Sequence, residues 1–315
     1  MSSRCREILC GALLVVANAL GSLGVRAAEP ADRRLPPAQP AAAARHPASA
    51  ASATAAAATL TVCADPDNLP YSRSDEAGFE NRIARLVADE LHARLQYAWQ
   101  PQIRGIARKS FREARCDVLI GVPVGFERVL TTRPYYRSGY VFVTRAATTP
   151  ALRSFDDPRL PALAIGVQLV GDDLAATPPG YALARHGAAE HVVGYPVYGD
   201  GPAAARAVAD LAAGRLDAAL LWGPQAGYFA TRSAVRLQLA EARPPRDLAL
   251  PFDFAIAMAV RPGDTALRDA LDRVIERRGA EIDAILDAYA VPRQPAATAG
   301  AAASGATSAQ LGASR

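Results

Sequence analysis

Two segments about a hundred residues apart repeat one design. "ARCDVLIGVPVGF" (114–126) and "GRLDAALLWGPQAGYF" (214–229) each run from a helix end through an aspartate into an apolar strand, then small residues, then an aromatic. A strand that is apolar without alternation buries both faces, the habit of parallel sheets covered by helices. Two copies of such a unit imply two α/β lobes of similar build.

The flanking pattern agrees. Leu60-Thr61-Val62-Cys63-Ala64 is a short β run, and after the loop 65–78 Phe79, Ile83, Leu86, Val87 and Leu91 recur at helical spacing. "LQYAW" alternates as a strand, a helix covers about Ile103 to Arg115, and "CDVLIGV" closes the first series. After Phe155 the order returns as "ALAIGVQ", a helix through Leu183, "HVVGYPV", a helix from Pro202 to Ala213, and "LDAALLW". The strand "FDFAIAMAV" and helices over 264–278 and 280–290 can complete the first lobe. The chain then crosses between lobes twice, with 59–145 plus 252–292 as lobe 1 and 146–251 as lobe 2.

The ends are of another kind. Residues 1–27 read as a secretory signal, with Arg4 and Arg6, an apolar run from Ile8 to Leu23, and Val25-Arg26-Ala27 as an export-peptidase site. Cys10 precedes the apolar core instead of following it and so does not fit a lipid anchor. The run is broken by Gly11, Asn18, Gly21 and Gly24, shorter than the ~20 clean residues of a spanning helix. No membrane span is expected. Residues 28–58 and 293–315 are Ala-rich stretches with Pro, Ser and Gly and few large apolar side chains, so a disordered leader and tail are expected.

Of the 35 basic residues all but Lys109 are arginine, a coding bias, and they are interspersed with acids without aromatic interleaving, so nucleic-acid binding is not expected. Removal of the signal leaves Cys63 and Cys116, which in an oxidising compartment either pair or remain as two buried thiols. Pairing requires Cα atoms within ~7 Å. It is a reasonable demand, since neighbouring first and third strands would carry the two residues.

In open α/β sheets ligands sit outside the carboxyl ends of the strands. The loops expected there are 64–78, 121–128 and 222–228. In "CADPDNLPYS", Asp65, Asn68 and Tyr71 can offer hydrogen bonds to an entering group; alternatively Asp65 and Asn68 make Asx turns around Pro66 and Pro70.

With these segments in hand, "VCADPDNLPYS", "GFENRIA", "CDVLIGVP", "VLTTRPYYRSGYVFV", "GVQLVGDDLAATPPGYALARHG" and "LWGPQAGYF" resemble those of type II periplasmic solute-binding proteins. More narrowly they are similar to the quinoprotein dehydrogenase-associated, MoxJ/XoxJ-like J proteins, over nearly all of residues 60–290. The resemblance implies two lobes with parallel-type sheets joined by a two-strand hinge, a periplasmic location, and a role in maturation or activation of a periplasmic quinoprotein alcohol dehydrogenase that uses pyrroloquinoline quinone. It implies no known small ligand and no cofactor of the chain's own.

Amino-acid-binding relatives of this fold grip the ligand carboxylate with an arginine shortly before a Pro-Tyr-Tyr segment, where a guanidinium fork matches it bidentately. Arg128 in "GFERVLTTRPYY" is the candidate, at a spacing shorter than theirs; a solvated surface arginine is the other reading. Those relatives hold the ligand ammonium with an acid just after the strand that here reads "LDAALLW". Trp222 stands there, and "LWGPQAGYFA" contains no acid, so a zwitterionic amino acid is disfavoured. Trp222 and Gln225 then belong to a differently shaped pocket or to a docking surface. Pro123 and Tyr135 complete the cleft candidates.

Catalysis and metals find little support. His92, His186 and His191 lack metal-ligand spacing, and no nucleophile elbow occurs. "DPDNLPYSRSDE" lacks the glycine and terminal glutamate of a calcium loop. The basic stripe Arg104, Arg108, Lys109, Arg112 and Arg115 either steers an acidic partner or is a solvated face. The expectation is a non-enzymatic periplasmic accessory factor that binds the dehydrogenase; the alternative is the small-molecule-binding component of an importer.

Overall fold

The computed structural model describes residues 58–101, 111, 113, 115–126, 128–147, 150–170, 175–197 and 201–295. The expected signal peptide, nearly all of the leader, most of the tail and most of the helix at 103–115 lie outside the described residues.

Strand β1 (Thr59–Ala64) lies between β4 (Arg94–Trp99) and β5 (Val118–Pro123), parallel to both. Parallel neighbours need a crossover, and α1 (Phe79–Glu90) supplies the one from β1 to β4. A two-residue hairpin, β2 (Asp67–Asn68) with β3 (Ser72–Arg73), folds the loop between them. β5 is continued antiparallel by β13 (Asp253–Val260), which also pairs with β6 (Leu130–Thr131). Helices α5 (Thr265–Arg277) and α6 (Gly279–Ala288) join α1 over one face, where Val62, Phe79, Ile83, Ile120, Met258 and Leu271 share a core. The other face buries Cys63, Phe111, Cys116, Leu119 and Val122.

The second series builds the same way. β8 (Ile165–Val170) lies parallel between β10 (Val192–Pro196) and β11 (Ala218–Trp222), with α2 (Pro178–Arg185) and α3 (Ala203–Ala212) as crossovers. A short β9 (Ala175–Ala176) pairs with β8. β7 (Tyr136–Arg145) then runs antiparallel between β11 and β12 (Leu237–Glu241). Cores form on both faces, one around Phe142, Phe155 and Leu220, the other around Val143, Leu211 and Leu221.

Two strands join the halves. Residues Tyr136–Gly139 of β7 pair with Asp253–Ile256 of β13, whereas Tyr140 onward pairs with β11. Core membership changes at the same places: Tyr136 and Ile256 belong to the first core, Val141 and Phe252 to the second-lobe cores.

The duplicated aspartate has one structural task in both lobes. The Thr61 amide donates to Asp117 Oδ2 at 2.9 Å, and the Ala164 amide donates to Asp217 Oδ2 at 3.0 Å. Each carboxylate fastens the strand it precedes to the first strand of its lobe. Cys63 and Cys116 are bonded as a disulfide with Cα atoms 5.5 Å apart, inside the geometric limit.

One expected loop is a helix. Residues Gly223–Ala230 form α4, with Pro224 in the first turn, where a missing amide donor costs nothing. The small residues that read as a loop serve packing instead: a Cβ added at Gly227 would lie 1.9 Å from the Ala290 carbonyl oxygen.

Candidate functional site

The carboxyl ends of β1, β5 and β11 bring three segments together between the lobes: the loop after β1, the end of β5, and Trp222 with α4. Trp222 ends β11 in the second lobe, yet its indole packs against the first-lobe core. Its ring centroid lies 5.4 Å from that of Tyr140 and 5.7 Å from that of Phe254, both edge-on. Its side chain also lies beside the Tyr71 hydroxyl, whose pKa it lowers against the larger effect of burial. Tyr71 in turn meets Phe79 edge-on at 5.4 Å, and Phe79 meets Tyr136 at 6.3 Å. An aromatic chain therefore spans from β11 to α1.

A carboxyl group sits inside this cluster. Glu80 occupies the first turn of α1 and is 7% exposed. A Cβ built at Gly121 would lie 2.0 Å from Glu80 Oε1, so the carboxyl fills the space where a side chain at 121 would begin. Gly121 has φ +84° and is the extra residue of a β-bulge opposite Ala257 and Met258. Burial raises the Glu80 pKa well above the ordinary carboxyl value, which favours the neutral form of the group. Burial, first, raises the hydroxyls of Tyr71, Tyr135 and Tyr136, with Tyr136 and then Glu80 adding to it at Tyr71 and Tyr135 and Glu80 at Tyr136; burial pushes Tyr140 up to about 12.

Of the sequence candidates, Tyr71, Tyr135 and Trp222 meet in this cluster, and Tyr135 stands 5.0 Å from Tyr136, ring to ring. The others are placed differently. Asp65 accepts from the Asp67 amide at 2.8 Å, an Asx turn, and its own backbone bonds the Ser72 hydroxyl in both directions. Asn68 accepts the Tyr71 amide through its carbonyl, in the hairpin. Pro123 is half-buried at the end of β5, and Arg128 is exposed with φ 67°. Gln225 is buried and accepts from Gln168 Nε2 at 2.7 Å, while Gln168 Oε1 takes the Trp222 amide at 2.8 Å. Gln225 thus anchors α4 to β8.

Glu80 escaped the sequence reading. An acid in a first helical turn ordinarily answers the helix dipole. The signal was its register: 80, 83, 87 and 91 lie on one stripe, the one that carries Ile83 and Val87 into the core.

A third link reinforces the two strands. Beyond α6 the Ser138 hydroxyl donates to the Pro292 carbonyl at 2.6 Å, the Gln294 amide donates to the Arg137 carbonyl at 2.9 Å, and Tyr289 stacks on Tyr228 of α4 at 5.7 Å. The segment 289–294 straps the first lobe to the second across the hinge.

Among the described residues no helix is long and apolar enough to cross a membrane, and no cluster of three or more His, Cys, Asp or Glu could hold a metal.

Comparison with known proteins gives concordant results. The chain is 34% identical over 254 residues to protein MoxJ of Methylorubrum extorquens, covering 75% of this chain and 82% of that one. The crystal structure of the periplasmic binding protein XoxJ from Methylobacterium extorquens AM1 superposes with TM-score 0.63 at 36% identity, over 75% of this chain and 99% of that one. MxaJ from Methlophaga aminisulfidivorans MPT superposes with TM-score 0.66 at 25% identity, over 75% and 100%. No family model matches the chain.

Proposed function

The chain belongs to the MoxJ/XoxJ family of periplasmic binding proteins with the two-lobed type II fold, and from that premise we propose that it is a periplasmic accessory factor for a quinoprotein alcohol dehydrogenase. It acts by binding the dehydrogenase during maturation or activation, and carries out no chemical step of its own. Its lobes are 59–145 with 252–292, and 146–251, and Trp222 with Tyr71 and Tyr135 fills the cleft between them while the outer surfaces meet the partner.

The observation that carries this reading is Trp222. A solute-binding cleft for amino acids needs an open space with a charged group for the ammonium. Here the indole from the second lobe occupies the first lobe's aromatic cluster, and the carboxyl in that cluster, Glu80, is buried, which favours its uncharged form. A neutral carboxyl cannot balance a ligand's positive charge. The strap at 289–294 adds to the hold between lobes, which suits a protein that presents surfaces more than one that opens and shuts around a solute.

The test immobilises the full mature chain, passes periplasmic extract of alcohol-grown source cells over it, and assays quinoprotein dehydrogenase activity in the eluate. Enrichment over a column carrying an unrelated periplasmic protein is the expected result. Without enrichment, and with a small molecule co-purifying with the chain, the importer reading replaces it.

A further inference from the structure

A cavity lies wholly in the second lobe. Its volume is about 580 Å³, and it is walled by the segment 153–156, by His186 at the end of α2, and by the segment 243–247 that connects β12 to β13. None of the cleft candidates lines it. The volume is in the range of small-ligand sites.

Its charges do not cancel. Of the two acids, Asp247 takes Arg185 through Nη2 at 2.9 Å and Nε at 3.2 Å, and Asp156, an exposed side chain, lies 3.5 Å from His186 Nδ1 with the Ser154 hydroxyl at 3.3 Å. The Arg185 hydrogen bond holds the Asp247 carboxyl below the usual range. The arginines facing the cavity are not matched in the same way. Arg153 and Arg246 are exposed and pair with no described residue, and Arg243 has only an exposed contact with Glu241 at 3.2 Å. Such an exposed pair holds weakly. Three arginines thus line a hollow with two carboxylates, one of them already paired with Arg185, while Phe155, Pro244 and Pro245 add apolar wall.

From this juxtaposition we propose that the cavity is a binding site for a polycarboxylate, gripped by Arg153, Arg243 and Arg246 with its carbon skeleton against Phe155 and the two prolines. Planar guanidinium forks match carboxylates bidentately, and several at once favour a ligand with two or more of them. A small polycarboxylic acid and an acidic peptide segment of a partner share that chemistry. The site is independent of the dehydrogenase reading, because no residue of the interlobe cluster takes part.

Titration calorimetry of the full mature chain at low salt, with citrate and with a hexaglutamate peptide as separate probes, tests it. Saturable one-to-one binding of at least one probe is expected, weakened tenfold or more in Arg153→Gln/Arg246→Gln and kept in the charge-matched control Arg236→Gln/Arg273→Gln. Both pairs are exposed, so the variants should melt with the parent. Citrate alone identifies a small acid as the ligand, and the peptide alone a protein segment. Saturation by neither probe, an equal loss in both double variants, or no loss in the first overturns the proposal.

Discussion

The Glu80 carboxyl occupies the place where a side chain at Gly121 would start, 2.0 Å from a Cβ built there. The bulge that gives Gly121 its φ of +84° therefore makes the pocket for the acid. Gly121→Ala should cost at least ~2 kcal/mol in urea unfolding, from a left-handed backbone that L-residues resist and from overpacking against the carboxyl. A loss below ~0.5 kcal/mol would mean that the bulge relaxes without penalty.

The Glu80 proton makes stability depend on pH in a definite sense. Its folded pKa is raised by burial above the unfolded value of ~4.3, so the native state binds more protons just above that value. This contribution is fully present below the unfolded pKa and is lost as pH rises through the folded one. Glu80→Gln should therefore gain stability relative to the parent as pH rises from about 4 upward. Parallel pH profiles for the two proteins would rule out a neutral buried carboxyl.

Particular residues mark what was legible in the sequence and what was not. The duplicated strands and Asp117 with Asp217 were legible because burial on both faces leaves a continuous apolar run and the same carboxylate task recurs in each lobe. Helix α4 was hidden because Gly223, Pro224 and Gly227, chosen for close packing and a first-turn position, carry the composition of a loop. Trp222 was legible as a replaced acid, but its contacts with Tyr140 and Phe254 depend on pairing across the hinge, which no local pattern records. His186 lacked any metal-like spacing, and its position between Asp156 and Asp247 joins the end of α2 to two separate loops.

The Cys63–Cys116 disulfide closes a segment with sequence separation 53. Restricting the unfolded chain to that loop contributes about 4 kcal/mol on the chain-entropy argument. Cys63→Ala/Cys116→Ala should lose that much or more, since both positions are also buried. Denaturant unfolding with and without reductant checks it: reductant should weaken the parent and leave the double variant unchanged.

The strap across the hinge is backed by tight backbone packing at Gly227. At Gly227 any side chain would meet the Ala290 carbonyl oxygen, 1.9 Å from its Cβ, and backbone on both sides leaves little room to yield. Gly227→Ala should detach residues 289–294 from α4 and expose Tyr289 and Tyr228. Amide hydrogen exchange at Gln294, whose N–H donates to the Arg137 carbonyl, should rise tenfold or more while β1 exchanges as before. Unchanged protection at Gln294 would show that the strap is held elsewhere.

Trp222 separates the two functional readings. The chain has two tryptophans, so Trp99→Phe leaves Trp222 as the single reporter of the interlobe cluster. Its emission should be blue-shifted in the native protein and move red when the lobes part, because the indole is half-buried among Tyr140, Phe254 and the Tyr71 hydroxyl. Trp222→Ala should cost about 2–3 kcal/mol, less than the loss of a fully buried aromatic. If the protein serves the dehydrogenase through its surfaces, this variant still captures the enzyme from periplasmic extract, provided it is assayed below its lowered melting point. If instead the cleft takes a solute stacked on the indole, the same variant loses the solute at least tenfold, and calorimetry with the co-purifying molecule would register that loss directly.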